Sequence, residues 1–397
     1  MTQTDQPSAD HRPAYLRGHV PVLDGVRGLA ILLVVALHVA TGMSEPTAGF
    51  DWWVWQFSMA GWTGVELFFV LSGFLITGIL SDSREAPNYF KSFYGRRVLR
   101  IFPLYYAFLI VMLIVWSQRR PEAPFGESAW WHFAYLQNYL KEDSGIRALG
   151  VTWSLAIEEQ FYMVWPMLVY LLSRKAMIRL CMAIFLLSSV LRAVLYYQVD
   201  PWWMIGSYAV TPTHLDGLTV GALIALVVRT PGGMERLGRW LRITLPVGVI
   251  GTVACMVAAG DARPRIMPTG LIGMSFFALM FGSLLLSAIR AEPGSILHRI
   301  FASRFLRVWG KYSYAVYLLH IPAISLARNY VAPALWSKPR YPTLLGSEIP
   351  ALLAQNVIVA AISLGFAWLS WHLLERHFLA LKDRFAIAKP VEHAERQ

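Results

Sequence analysis

Long apolar runs recur along this chain, and they settle its class before any motif is read. Ten of them fall at about 25–43, 61–80, 101–117, 155–173, 177–197, 215–229, 243–260, 267–289, 313–331 and 350–374, separated by short polar segments. A helix rises 1.5 Å per residue, so roughly 20 apolar residues cross a ~30 Å hydrocarbon core. The pattern predicts an all-α polytopic membrane bundle of about ten transmembrane helices, with 215–229 the shortest and least secure. Composition agrees, since 56% of the 397 residues are hydrophobic and 15% are charged, against about 25% charged in a soluble domain. Residues 1–19 read as a polar tail, 20–378 as a single membrane domain and 379–397 as a second polar tail. The first 19 residues lack the basic start and short apolar core of a cleavable signal, so the first run is expected to stay as a helix.

The formal net charge is +11, which in a soluble chain would suggest nucleic acid. Here the charge is topological. With the N-terminus inside, about 25 of the 35 Lys and Arg fall in inside segments and about 9 outside, the asymmetry of the positive-inside rule. Both termini are therefore expected in the cytoplasm. The two cysteines, Cys181 and Cys255, lie within apolar runs, which argues against a structural disulfide or a thiolate metal site. No metal ligand set is expected.

The first run contains the most informative spacing. In LDGVRGLAILLVVALH, Arg27 and His38 bracket an uninterrupted apolar stretch. Eleven residues are close to three helical turns, so both side chains share one stripe, about 16 Å apart along the axis. Charged groups inside a bilayer cost roughly 2.5–3.5 kcal/mol each on insertion scales, so they face a cavity or one another. With the topology above, His38, Glu66 in GVELFFVLSGFLIT, Glu158 and Glu159 in TWSLAIEEQFYMVWP, Arg192, and His214 and Asp216 in THLDG are all expected in one layer toward the outer leaflet. A neutral histidine beside a carboxylate suits removal of a proton from a hydroxyl nucleophile. Taken singly, Glu158 and Glu159 also fit a helix N-terminus, where acids oppose the dipole.

The other end has different chemistry. In KSFYGRRVLRIFPLYY, Arg96, Arg97 and Arg100 are expected at the cytoplasmic start of the third helix, with Arg96 and Arg100 on one face. Guanidiniums at a helix N-terminus suit phosphate, although ordinary inside-positive anchoring explains them equally well. Pro103 is expected to fix the helix entry, as proline is tolerated in a first turn. No Gly-rich phosphate loop, GxSxG elbow or HExxH motif is present, which leaves ATP hydrolysis, hydrolase-type serine chemistry and zinc proteolysis without local support. Ser72 has no activating neighbour in the sequence and reads as part of a small-residue helix contact.

Taken in order, LDGVRGLAILLVVALH, GVELFFVLSGFLIT, FYGRRVLRIFPLYY, TWSLAIEEQFYMVWP and YSYAVYLLHIP resemble the acyltransferase 3 family of integral-membrane O-acyltransferases, over about residues 20–378. The resemblance implies a multi-pass protein of a bacterial-type inner membrane. It would transfer an acyl group, often acetyl, from cytoplasmic acyl-CoA to a hydroxyl of a glycan, polysaccharide or small molecule. Acyl-CoA is then a donor substrate, and no bound cofactor is implied. Arg27 and His38 match the family's signature pair, His38 as general base. Arg96, Arg97 and Arg100 match its arginine-rich motif, which suits the CoA phosphates. Glu66, Glu158 and Glu159 match its acids, Trp153 opens the same WSL motif, and His320 falls on its late histidine. Trp153, Arg192, His214, Asp216 and His320 are the candidates for substrate contacts. Two departures stand out: His214 where arginine is frequent, and His377 where proline is usual. Some relatives carry a fused extracytoplasmic hydrolase-like domain, and none is expected here after residue 378.

Two other classes compete with an enzyme. A proton-coupled transporter or flippase would use the intramembrane acids and His38 as a relay, but no inverted repeat is visible. A non-catalytic scaffold leaves the Arg27–His38 stripe unexplained. The aromatic segment SAWWHFAYLQNYL suits either sugar stacking or the membrane interface, with the interface favoured.

Overall fold

The computed structural model describes residues 16, 18–119, 128–140, 146–198, 209–263, 268–336 and 342–388. Ten helices among them correspond to the ten apolar runs. They are α1 Pro21–Ala40, α2 Thr63–Asp82, α3 Tyr89–Arg119, α4 Trp153–Leu171 and α5 Arg174–Gln198, followed by α6 Leu215–Val228, α7 Gly233–Ala259, α8 Met274–Arg290, α9 Arg304–Leu326 and α10 Ile349–Ser370. Among the described residues seven helical stretches are long and apolar enough to cross a membrane, and they fall on α1, α2, α3, α5, α7, α8 and α10. The other three differ for physical reasons. α4 carries Glu158 and Glu159, α9 carries Arg304, Arg307 and Lys311, and α6 has only 14 residues. All but two residues of α6 are buried by its neighbours, so that helix does not face lipid.

Tight backbone contacts set the register. A Cβ added at Gly28 would lie 2.0 Å from the Leu306 carbonyl oxygen, and one at Gly310 would lie 1.9 Å from that of Asp24. Only glycine permits α1 and α9 to approach so closely, the small-residue packing characteristic of membrane bundles. At Gly73 the added atom would meet the Leu218 carbonyl at 1.9 Å, so the SG pair does mark a helix contact, between α2 and α6. Between α1 and α2, Gly64 faces the Ala30 carbonyl and Gly61 that of Leu33. The two helices are antiparallel, Glu66 lies level with about Gly28, and Ser72 lies level with about Val22.

This register changes the expected depths. The helical run containing α2 begins at Gly49 and continues to Asp82 over 34 residues, so Glu66 lies near the middle of that run. Phe50, Trp53 and Phe57 in the first turns of that run are strongly exposed. α3 likewise begins at Tyr89, which puts Arg96, Arg97 and Arg100 two to three turns inside the helix rather than at its N-terminus. Pro103 is therefore interior, where its ring leaves one main-chain acceptor in the preceding turn without its partner. α4 begins at Trp153, with no acid in its first turn, and Glu158 and Glu159 are not caps.

The segment before α4 folds back into the bundle. Gln137 donates to the Thr152 carbonyl at 2.8 Å and to the Tyr105 hydroxyl at 3.2 Å, while Asn138 donates to Thr211 at 2.9 Å. The Nδ2 and Nε2 donors of both amides thereby find acceptors, while Gln137 Oε1 has no hydrogen-bond partner among the described residues. Of the aromatic segment, Tyr135 stacks on Tyr105 at 4.3 Å and is core, whereas Trp130 is 75% exposed.

Candidate active site

One end of the bundle holds two contiguous cavities. A vestibule of about 670 Å³ is walled by Arg27, Arg100, Arg304, Arg307 and Lys311, with Asp24, Glu375, His19 and Trp371. A chamber of about 350 Å³ leads on from it, the two sharing His19, Asp24, Arg27, Arg100 and Tyr314. The chamber's own walls include Ser72, Arg97, Ser154, Glu158, Glu159, Tyr162 and Tyr317. Arg27 is held by Asp24 at 3.2 Å, one turn earlier, and keeps 19% of its side chain exposed. Arg97 lies over the Tyr162 ring at 5.1 Å and near Phe93 at 5.8 Å, a cation–π setting that fixes the guanidinium without neutralising it. Arg97 and Arg100, three apart, share the lining face. Arg96 is exposed and lines neither cavity, so the expected Arg96–Arg100 pair is replaced by Arg97–Arg100.

Glu158 lies in this chamber. Its Oε1 accepts a hydrogen bond from Ser72 at 2.5 Å, with Arg27 and Arg97 as the nearby positive charges. Ser72 therefore has an adjacent carboxylate, contrary to the sequence reading, because α2 and α4 bring together residues 86 positions apart. Glu158 and Glu159 sit with the arginines and not in an outer layer with His38.

At the chamber's far wall the Tyr317 hydroxyl bonds Ser154 at 2.6 Å and the Val151 carbonyl at 2.9 Å. One turn further along α9 lies His320, whose Nδ1 is 2.6 Å from the Tyr317 carbonyl. The His320 ring meets His38 edge to face, with centroids 4.8 Å apart. His38 Nδ1 is in turn 2.8 Å from the Val34 carbonyl. A carbonyl only accepts, so Nδ1 carries the proton in both rings and each neutral Nε2 is left as a base. His320 is wholly buried, and its Nε2 has no hydrogen-bond partner among the described residues. Val34 and His320 thus orient His38. No hydrogen bond or ion pair among the described residues joins His38 to Glu66 or Glu158.

Glu66 belongs to a third group, between these levels. It is wholly buried and faces His214 Nε2 at 3.7 Å, while Trp153 packs on His214 at 5.2 Å. Beside them Arg192 donates to Asp216 at 2.8 Å, to Ser275 at 2.7 Å, to the Leu271 carbonyl at 2.8 Å and to the Thr213 carbonyl. Ser275 closes the ring by donating to Asp216 at 2.9 Å. Arg192, His214 and Asp216 line neither cavity described above, and the Arg192–Asp216 pair is satisfied internally. The single outer layer of the sequence reading is thus three levels: His38–His320, then Glu66–His214 with Arg192–Asp216, then Glu158–Ser72 with the arginines.

Sequence reasoning passed over Arg304, Arg307 and Lys311. They recur at i, i+3 and i+7 on one helix face, a signal that merged with general inside-positive charge. Tyr317 and Ser154 were missed as well, although both lie in motifs already singled out. Gln355 on α10 is wholly buried, and neither atom of its amide is hydrogen-bonded among the described residues.

A profile of the acyltransferase 3 family, described as an acyltransferase domain, matches residues 20–372. The chain is 30% identical over 348 residues to the peptidoglycan O-acetyltransferase OatA of Listeria monocytogenes, covering 81% of this chain and 52% of that protein. It is 26% identical over 362 residues to the O-acetyltransferase OatA of Staphylococcus aureus, covering 86% of this chain and 56% of that protein. The chain thus spans about half the length of the curated relatives it matches. No solved structure matches it.

Proposed function

The chain belongs to the acyltransferase 3 family and is a multi-pass membrane enzyme that transfers acyl groups, and from that premise we propose that it moves an acyl group, acetyl in the simplest case, from acyl-CoA to a hydroxyl of an envelope glycan. The relatives' names make a peptidoglycan sugar the first acceptor to test. One observation carries the reading: a cation-walled vestibule runs into a chamber that ends one turn from the His38–His320 pair. The arginine end is then cytoplasmic, as are both termini, and all ten helices form the membrane domain.

In this reading the donor's phosphates rest in the vestibule and the pantetheine arm threads past Arg27 and Arg97 into the chamber. His38 and Arg27 are about 16 Å apart along α1, so one extended arm bridges them. The acceptor enters from the His38 end. Its hydroxyl oxygen attacks the thioester carbonyl carbon as His38 Nε2 removes the hydroxyl proton. The carbon–sulfur bond breaks, and the departing thiolate takes that proton to leave as CoA thiol. Arg27 steadies the donor at the junction of the cavities, and Glu158 balances Arg27 and Arg97 beside it. Holding donor and acceptor together makes a bimolecular step effectively unimolecular.

The test is transfer of label from radiolabelled acetyl-CoA to peptidoglycan fragments, other glycans and polyols by purified protein in nanodiscs, beside His38→Ala. The reading expects label on an acceptor with the native protein and none with the variant. Saturable acetyl-CoA binding with transfer surviving in the variant removes His38 as base. No acetyl-CoA binding at any protein concentration overturns the donor assignment and favours a transporter.

A further inference from the structure

Arg304, Arg307 and Lys311 form one wall of the vestibule, exposed to it along a single face of α9. Seven residues of helix place them along about 10 Å of that wall. None makes an ion pair or a side-chain hydrogen bond among the described residues. Where an arginine is answered away from the vestibule, a carboxylate sits at hydrogen-bond distance: Arg229 has Asp82 at 2.7 Å and Arg192 has Asp216 at 2.8 Å. The vestibule's two acids do not balance its cations, since Asp24 is engaged by Arg27 and Glu375 accepts from Ser370 at 2.8 Å. Trp371 also lines the vestibule, with Lys311 Nζ 5.0 Å from its ring centroid. A concave wall of unanswered cations beside an aromatic ring is chemistry for a phosphorylated nucleotide.

We propose that this α9 ladder is a phosphomonoester subsite that reads the 3′-phosphate of the donor's adenosine. The inference rests on acyl-CoA being the donor. Arg27 and Arg100 line both cavities, so they stand at the junction that the pantetheine arm must cross. The diphosphate, joined directly to that arm, falls to them. The 3′-phosphate lies beyond the ribose and falls outward in the vestibule, against Arg304, Arg307 and Lys311. A dianionic phosphomonoester is the strongest anion the nucleotide offers, and the ladder offers it three cations that no acid pairs among the described residues. An anionic lipid headgroup presents related chemistry, so the bilayer composition has to be an arm of the test.

Equilibrium binding of CoA and of 3′-dephospho-CoA is measured on the full chain in phosphatidylcholine nanodiscs. The native protein is compared with the combined variant Arg304→Gln/Arg307→Gln/Lys311→Gln and with Arg307→Lys. Charge-assisted hydrogen bonds to the phosphate predict a preference of about 10- to 100-fold for CoA in the native protein. The combined variant should bind both ligands as the native protein binds dephospho-CoA, while Arg307→Lys should retain a preference. Equal binding of both ligands by the native protein overturns the subsite and leaves the donor assignment standing. Equal weakening of both in the combined variant also overturns it, since the ladder then acts on the diphosphate or on the general field. Loss of the preference when phosphatidylglycerol replaces part of the phosphatidylcholine shows a lipid headgroup to be the occupant, again overturning it. Binding of neither ligand by the native protein removes the donor assignment and this subsite with it.

Discussion

Asp216→Leu is the substitution whose consequence the structure constrains most tightly. Arg192 is 5% exposed and Asp216 wholly buried. The guanidinium spends its donors on Asp216, Ser275 and two carbonyls. Removing the carboxylate leaves a cation in an apolar interior with only neutral partners, a loss of about 3–5 kcal/mol. At 1.4 kcal/mol per factor of ten, that lowers the folded-to-unfolded ratio by roughly two to three and a half orders of magnitude. Replacing both members, Arg192→Met with Asp216→Leu, removes the charge together with its desolvation cost and should recover most of the loss. Graded denaturation in mild detergent, followed by the monodisperse fraction in size-exclusion chromatography, reads the effect. The expected order of stability is native, close to the double variant, well above Asp216→Leu. Because the pair lines neither cavity, the double variant should bind acetyl-CoA like the native protein. An Asp216→Leu variant as stable as the native protein, or a double variant less stable than the single, refutes the reasoning. A stable double variant that no longer binds substrate restores the sequence-based view of these residues as substrate contacts.

Other outcomes follow from the same geometry. Arg96→Ala should leave acetyl-CoA binding unchanged, whereas Arg100→Ala should weaken it about 10- to 100-fold in the same assay. Gly28→Val should force α1 from α9, because its first added atom meets the Leu306 carbonyl at 2.0 Å; overpacking of this kind costs roughly 1–3 kcal/mol or more, and both the denaturation midpoint and transfer should fall. Ser72→Ala removes one hydrogen bond from Glu158 and should lower transfer less than Glu158→Gln, which removes one negative charge from beside Arg27 and Arg97 while Asp24 and Glu159 remain; initial rates at saturating donor decide the order.

The helical class was legible because apolar runs of bilayer length have few alternative folds, although only seven of the ten runs fall in helices long and apolar enough to span among the described residues. The site was legible in composition but not in depth. Helical spacing puts Arg27 and His38 about 16 Å apart on α1, whereas the contact of His38 with His320 depends on α1 packing against α9. Depth failed where a helix starts earlier than its apolar run: α2 is continued N-terminally by Gly49–Trp62, whose mixed polarity hid it, and this moved Glu66 from near the end of the helical run to its middle. α3 begins twelve residues before its run and carries the arginines inside the helix. The Ser72–Glu158 contact depends on α2 packing against α4, long-range information that no local pattern contains. Arg304, Arg307 and Lys311 were visible as charges, but only the concavity around them distinguishes a binding wall from a membrane anchor.

The most direct test of the account is a cryo-electron microscopy structure of the protein with CoA bound in nanodiscs. The account predicts the nucleotide between α9 and Trp371, the diphosphate at Arg27 and Arg100, and the sulfur inside the chamber toward Tyr317 and His38. Density for CoA at any other place on the protein, with vestibule and chamber both empty, would contradict it.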